Sequence, residues 1–162
     1  MDPKKDIAFH DPNWKKEAKK GKILICKHCN AVYDNKGWKH LEDLDPSHVD
    51  DLKKSVCPAC HASKNHTSDG VVHLSGDFFI AHKEEILNTI NNLADQAEER
   101  DVLNRIERIE HTDEGEMIIY TTKNKLAMEI GKHVADAFKG GDLDIQFSKD
   151  DMPVEVRWHK GS

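Results

Sequence analysis

The chain has 162 residues and a net charge of -6, with one third of its residues charged and only 6% aromatic. That composition suits a water-soluble fold with a thin core, in which an additional staple would be useful, and it leaves room for one ordinary domain or a stapled module beside a small α+β domain. No apolar run approaches the roughly 20 residues a membrane span needs, and the start, MDPKKDIAFHDPNWKK, lacks the apolar stretch of a secretory signal. A cytoplasmic location is therefore expected, where thiols stay reduced.

The charge is unevenly spread. Residues 1–40 carry a net +5, residues 41–70 a net -3 and residues 71–162 a net -8. Phosphate neutralisation supplies most non-specific nucleic-acid affinity, so the chain as a whole is a poor general DNA binder, while its front end has the right sign for a phosphate backbone.

Residues 1–21 read as a basic flexible arm, with Phe9 and Trp14 its large apolar groups. Trp14, Lys15, Lys16, Lys19 and Lys20 are candidate contacts to RNA or a partner, the indole by stacking and the lysines by phosphate attraction. A solvated leader is the plainer reading of the same run.

Residues 22–74 read as a cysteine module. All four cysteines fall in two Cys-x-x-Cys pairs, Cys26/Cys29 and Cys57/Cys60. Leu24 and Ile25 before the first pair and Val56 before the second suggest a short strand leading into each tight turn. Asn35-Lys36-Gly37 reads as a turn, and Ser47 to Lys54 as one or two helical turns after Pro46.

Two such pairs can place four thiolates tetrahedrally around zinc, and metal binding would contribute on the order of 10 kcal/mol to folding so thin a segment. The Cys57-Pro-Ala-Cys60-His61 run is also a haem-attachment pattern, but that reading implies export and leaves Cys26 and Cys29 unexplained. Thioredoxin-like redox chemistry needs a βαβ setting, which surrounds neither pair. Iron or an iron-sulfur cluster uses the same sulfurs, and spacing does not separate it from zinc. A closed four-sulfur site has no open position for water, so a single structural Zn2+ on Cys26, Cys29, Cys57 and Cys60 is the expectation. His28, His40, His61, His66 and His73 lie near the module as possible ligands or shell residues, each more simply a surface side chain. No H-E-x-x-H motif, phosphate loop or nucleophile elbow is present, and no catalytic role is expected.

Trp38, beside Lys39 and His40, is a further candidate for stacking on a base or partner, or else a cap on the module's small core.

Residues 75–101 read as a connecting amphipathic helix. Ser75 and Asp77 are possible caps, and Phe79, Ile86, Ile90, Leu93 and Ala97 form its stripe. The run from Asp101 to His111 fits helix or strand. Residues 102–162 then read as a β-β-α-β-β domain: Met117 to Thr122 forms a strand, and Leu126, Ile130, Val134 and Phe138 mark a helical face. Leu143, Ile145 and Phe147, then Val154, Val156 and Trp158, alternate as strands. Lys125, Lys132 and Lys139 occupy the exposed side of that helix, the first two as candidate phosphate contacts.

The order of parts resembles a group of short bacterial zinc proteins of unassigned role. The matching features are the Cys-x-x-Cys pair followed by Gly37-Trp38, the C-P-x-C pair, L-S-G-D-F-F-x-x-H-x-x-E-I-L-N from Leu74 to Asn88, R-I-E-R-I-E, a T-T-ended strand, an A-x-x-I-G helix and the closing V-x-V-R-W. That group is in turn distantly similar to the N-terminal part of the archaeal and eukaryotic adaptor of large-ribosomal-subunit maturation and export. The adaptor carries additional cysteine pairs that this chain lacks, and the basic stretch usual after the second pair is here His61-Ala-Ser-Lys64-Asn-His66. The resemblance implies a zinc-binding accessory factor associated with a ribosomal particle or structured RNA. The alternative is a zinc-stabilised adaptor whose acidic C-terminal half docks a basic protein partner without RNA.

Overall fold

The computed structural model describes residues 14–147 and 153–161; the first part of the expected arm, residues 1–13, lies outside them. The architecture is mixed α+β, built on a four-stranded and a five-stranded sheet.

The first unit opens with α1 (Trp14–Lys19), then β1 (Ile23–Cys26), β2 (Val32–Tyr33) and β3 (Trp38–Lys39). Two 3₁₀ turns, Leu41–Asp43 and Pro46–Asp51, lead to β4 (Leu52–Ser55) and α2 (Pro58–Asn65). The second turn begins as its residues dictate: Asp45 accepts from the Ser47 N–H at 3.0 Å, and Pro46 has no N–H to leave unpaired. The sheet order is β3-β2-β1-β4, with β1 antiparallel to β2 and parallel to β4. Its core is small, drawing on Cys26, Ala31, Cys57 and Ala59 with Val102 from farther along the chain. The sulfurs must therefore serve as core as well as site.

Residues 14–19, expected as part of a flexible arm, are instead helical and docked. Trp14 stands 5.1 Å from Tyr33 and 5.4 Å from Trp38, ring centre to ring centre, and Glu17 pairs with Lys53 of β4 at 3.0 Å. An aromatic triad supplies the area that the lysine-rich composition conceals.

The second unit runs β5 (Gly70–Ser75), α3 (Asp77–Ala81), α4 (Lys83–Arg100), β6 (Ile106–His111), β7 (Met117–Thr121), α5 (Asn124–Ala137), β8 (Asp142–Gln146) and β9 (Val154–His159). Its sheet order is β6-β7-β5-β9-β8. The expected boundary after residue 74 is thus corrected. β5 is the middle strand here, antiparallel to β7 and parallel to β9. Its Val72 and Leu74 join Met117, Ile119, Val156 and Trp158 in one fully buried core, against Leu126, Ile130 and Val134 of α5. Alternation in Val71-Val72-His73-Leu74 identifies a strand but not the sheet it joins. Phe147, expected to continue the inward alternation, is 73% exposed because β8 ends one residue earlier. The expected single helix over 75–101 is interrupted at His82, whose N–H turns back to the Phe78 and Phe79 carbonyls.

Gly76 explains the Leu-Ser-Gly-Asp run. Its backbone, at φ 107 and ψ 161, lies in a region nearly exclusive to glycine. The end of β9 closes over it: the Lys160 N–H donates to Ser75 O at 3.1 Å, and the Phe78 N–H to Lys160 O at 3.1 Å. A β-carbon would fall 2.0 Å from the Lys160 carbonyl oxygen, a backbone atom with no room to move. Gly76→Ala is expected to cost about 2–4 kcal/mol, from backbone strain plus overpacking. Urea melts followed by circular dichroism would show it, and an unchanged midpoint would refute this account.

Asp101, just after α4, accepts from the Leu103 N–H at 3.0 Å and pairs with Lys123 Nζ at 2.6 Å. Partial burial works against its charge, but Lys123 and the Leu103 amide hold its pKa below the usual carboxylate value. A depressed carboxylate stabilises the fold above its unfolded pKa of about 3.9 and loses that contribution as pH falls through the folded value. Because the pair is screened by solvent, Asp101→Asn should cost only about 0.2–1 kcal/mol at pH 7. Its gap from wild type should close below about pH 4, whereas a gap constant with pH would assign the effect to packing instead.

Candidate metal centre

The first pair sits on a hairpin turn. β1 ends at Cys26, whose N–H donates to Ala31 O at 2.7 Å, while the Asn30 N–H returns to Cys26 O at 3.0 Å. Asn30 takes the left-handed conformation at φ 65, one that asparagine tolerates well. The second pair departs from the expected ribbon-like turn. Cys57 is the N-cap of α2, with Pro58 at its first position, and the Cys60 N–H donates to Cys57 Sγ at 3.4 Å. Cys-Pro is a helix start as well as a metal motif, and that signal was in the sequence. Parallel pairing brings the two together: Cys26 lies opposite Ser55, and the Lys27 N–H donates to Ser55 O at 2.9 Å.

The four Sγ atoms lie within 4.8 Å of one another, with Cys29 and Cys57 3.7 Å apart. A disulfide needs about 2.05 Å. Four sulfurs each about 2.3 Å from one metal, the length of a zinc–thiolate bond, are about 3.8 Å apart. The spacing fits a shared ion. All four cysteines belong to this cluster, which leaves a haem attached through Cys57 and Cys60 without a role for the first pair.

Electrostatics point the same way. Burial pushes the Cys57 thiol well up and Cys60 to about 11, and the neighbouring sulfurs add to both shifts. Burial would raise Cys26 too, but backbone N–H groups of Cys57, His28 and Cys29 bring it down to about 7. Without an ion the neighbouring sulfurs oppose ionisation of Cys57 and Cys60; a divalent cation among them would reverse that repulsion and displace the protons.

One neighbour escaped the sequence reading. Arg105 Nη2 donates toward Cys57 Sγ at 3.4 Å and toward Cys29 and Cys60 Sγ at 3.7 Å each. Burial disfavours its charge, yet the sulfurs more than compensate and keep it cationic. The only hint in the sequence was the R-I-E-R-I-E run, whose first residue this is.

The nearby histidines are engaged elsewhere. His40 Nε2 meets the Glu98 carbonyl at 2.8 Å, His66 Nδ1 meets Arg108 at 2.9 Å, and His73 meets Glu155 at 3.0 Å. His61 lies beside Asn65, and His28 is exposed. Among the described residues, the four cysteines are the one group arranged to hold a metal.

Of the other candidates, Trp14 and Trp38 meet around Tyr33, and Trp38 also packs on the cysteine core. Lys15, Lys16 and Lys19 on α1 and Lys20 just after it stand exposed, beside β4 with its exposed Lys53 and Lys54. Lys125 and Lys132 are exposed on α5, in the other unit.

The purified chain should hold one metal ion per molecule, and Cys57→Ser should lose it together with the order of the first unit. Metal analysis, a thiolate-to-cobalt absorption band on substitution, and thiol reactivity before and after chelation would check this. Four thiols equally reactive in both conditions would sink it.

Compared with known proteins, the chain matches no family model, no curated protein and no solved structure.

Proposed function

We propose that the chain is a non-catalytic cytoplasmic accessory protein, folded around one structural zinc ion, that binds structured RNA such as a ribosomal particle through the lysine face of its first unit. Zinc is the choice among thiophilic ions because four sulfurs with no open position are its usual structural set.

The observation that carries the RNA reading is the docked α1. The Trp14–Tyr33–Trp38 triad fixes a helix whose Lys15, Lys16 and Lys19 are exposed, followed by exposed Lys20, next to Lys53 and Lys54; Glu17 pairs with Lys20 and Lys53. Presenting lysines on a fixed helix lowers the ordering cost of meeting a phosphate backbone. Most of the acidic surplus, a net -8, lies in residues 71–162, with a further -3 in residues 41–70, so the basic front end is set apart from it along the chain. The packed rings narrow the earlier expectation: Trp14 and Trp38 act as anchors of the basic helix rather than as free stacking platforms. No helix among the described residues is long and apolar enough to cross a membrane.

Salt dependence tests the reading. Each lost phosphate contact lowers the slope of log K against log salt by about 0.7–0.9. Changing Lys15, Lys16, Lys19 and Lys20 together to Ala should therefore flatten the slope by about 3 and shift the protein from ribosomal particles to the top of a low-salt sucrose gradient. Co-sedimentation that survives ribonuclease and moderate salt would replace this reading with the zinc-stabilised protein adaptor.

A further inference from the structure

We infer that Arg105 is a working part of the metal centre: supplied by the second unit, its guanidinium caps the sulfur face of Cys29, Cys57 and Cys60, offsets thiolate charge and fastens the five-stranded unit to the metal site. The inference rests on the reading of the four sulfurs as a metal site.

Three sulfurs define one face of a tetrahedron, and a single nitrogen of Arg105 stands 3.4–3.7 Å from each of them. Four thiolates on a divalent ion leave a net charge of about -2, which a permanent cation in contact with the sulfurs halves. N–H groups directed at metal-bound sulfur also tune how firmly the ligand holds.

The arginine is held in place from its own unit. Its N–H donates to Thr122 Oγ1 at 2.9 Å, its carbonyl accepts from the Thr122 N–H at 2.8 Å, and Thr122 Oγ1 donates onward to Leu103 O at 2.6 Å. Thr122 is 8% exposed, so this clamp is shielded from water. Val102, 5% exposed, enters the cysteine core from the same segment, and Leu103 packs beside it. One wall of the site is thus built by residues 102–105 between α4 and β6, with Thr122 the positioning residue at the end of β7. The R-I-E-R-I-E run and the T-T strand end, far apart in sequence, meet in a single device.

The test measures the rate at which the full-length zinc-loaded protein gives up its ion to a chromophoric chelator at fixed pH. Protease cleavage within residues 101–105 is followed in parallel. Arg105→Met keeps length without charge and should release zinc about tenfold faster or more, the usual scale for losing a partner of metal ligands. Cleavage in that segment should also quicken. Arg105→Lys, with charge but no planar fork, should fall between Met and wild type. Thr122→Val should move both readouts in the same direction by a smaller factor, and Thr122→Ser should resemble wild type. If Arg105→Met fails to fold, the Thr122 pair carries the test. Rates for a folded Arg105→Met, or for Thr122→Val in its place, within about twofold of wild type would overturn the inference, being well short of the expected effect. A wild-type chain that takes up neither zinc nor cobalt would overturn the metal reading itself.

Discussion

Everything in the first unit hangs on four sulfurs held within 4.8 Å of one another under a single guanidinium. Sulfur clustered this closely is unstable as four thiolates and wasteful as four thiols; it becomes favourable when a cation sits among the ligands and another lies against them. Apart from the aromatic triad and a few buried aliphatic groups such as Leu24 and Val32, the unit has little to hold it, since its strands are two to four residues long. A minimal sheet of this kind is marginal alone, so a metal held by the four sulfurs would add to the small hydrophobic core that composition allows.

The second unit is stable for a different reason. One buried layer of Val, Leu, Ile, Met and Trp side chains lies between the sheet and its helices, with strand alternation and helix periodicity in agreement. It can therefore act as a buttress, and it does so through the short segment after α4. Val102 extends the cysteine core, Arg105 faces the sulfurs, and the Asp101–Lys123 and Thr122 contacts lock that segment to the sheet unit.

Much of this was legible from residues alone, and the misses share a cause. The clustering of the four cysteines, the alternating strands 117–121 and 154–159, and the face of α5 follow from local spacing, because Cys-x-x-Cys turns and side-chain periodicity are local rules. The sheet to which residues 70–75 belong, the docking of Trp14 and the role of Arg105 depend on contacts between residues tens of positions apart. Cys29 and Arg105 are 76 positions apart. Nothing in the neighbourhood of an arginine just before a charged strand says that it will face sulfur. The helical start at Cys57-Pro58 is the exception: the N-cap and proline signals were present and were read only as a metal motif.

If the metal is structural, function must be carried by surface, and the surface has a direction. The helix that the aromatic triad fixes presents lysines at one end of the chain, while most of the acids belong to the sheet unit. A polyanion approaching such a molecule is attracted to one unit and repelled by the other, so orientation is selected before any specific contact forms. The Arg105 bridge matters to that proposal because it ties the two units across the metal site. A partner that touched only the lysines would then still present the sheet unit in a set direction. A charge-segregated pair of units gains more from such a tie than from a larger basic patch on a loosely tethered arm, since the arm would lose its orientation as soon as it bound.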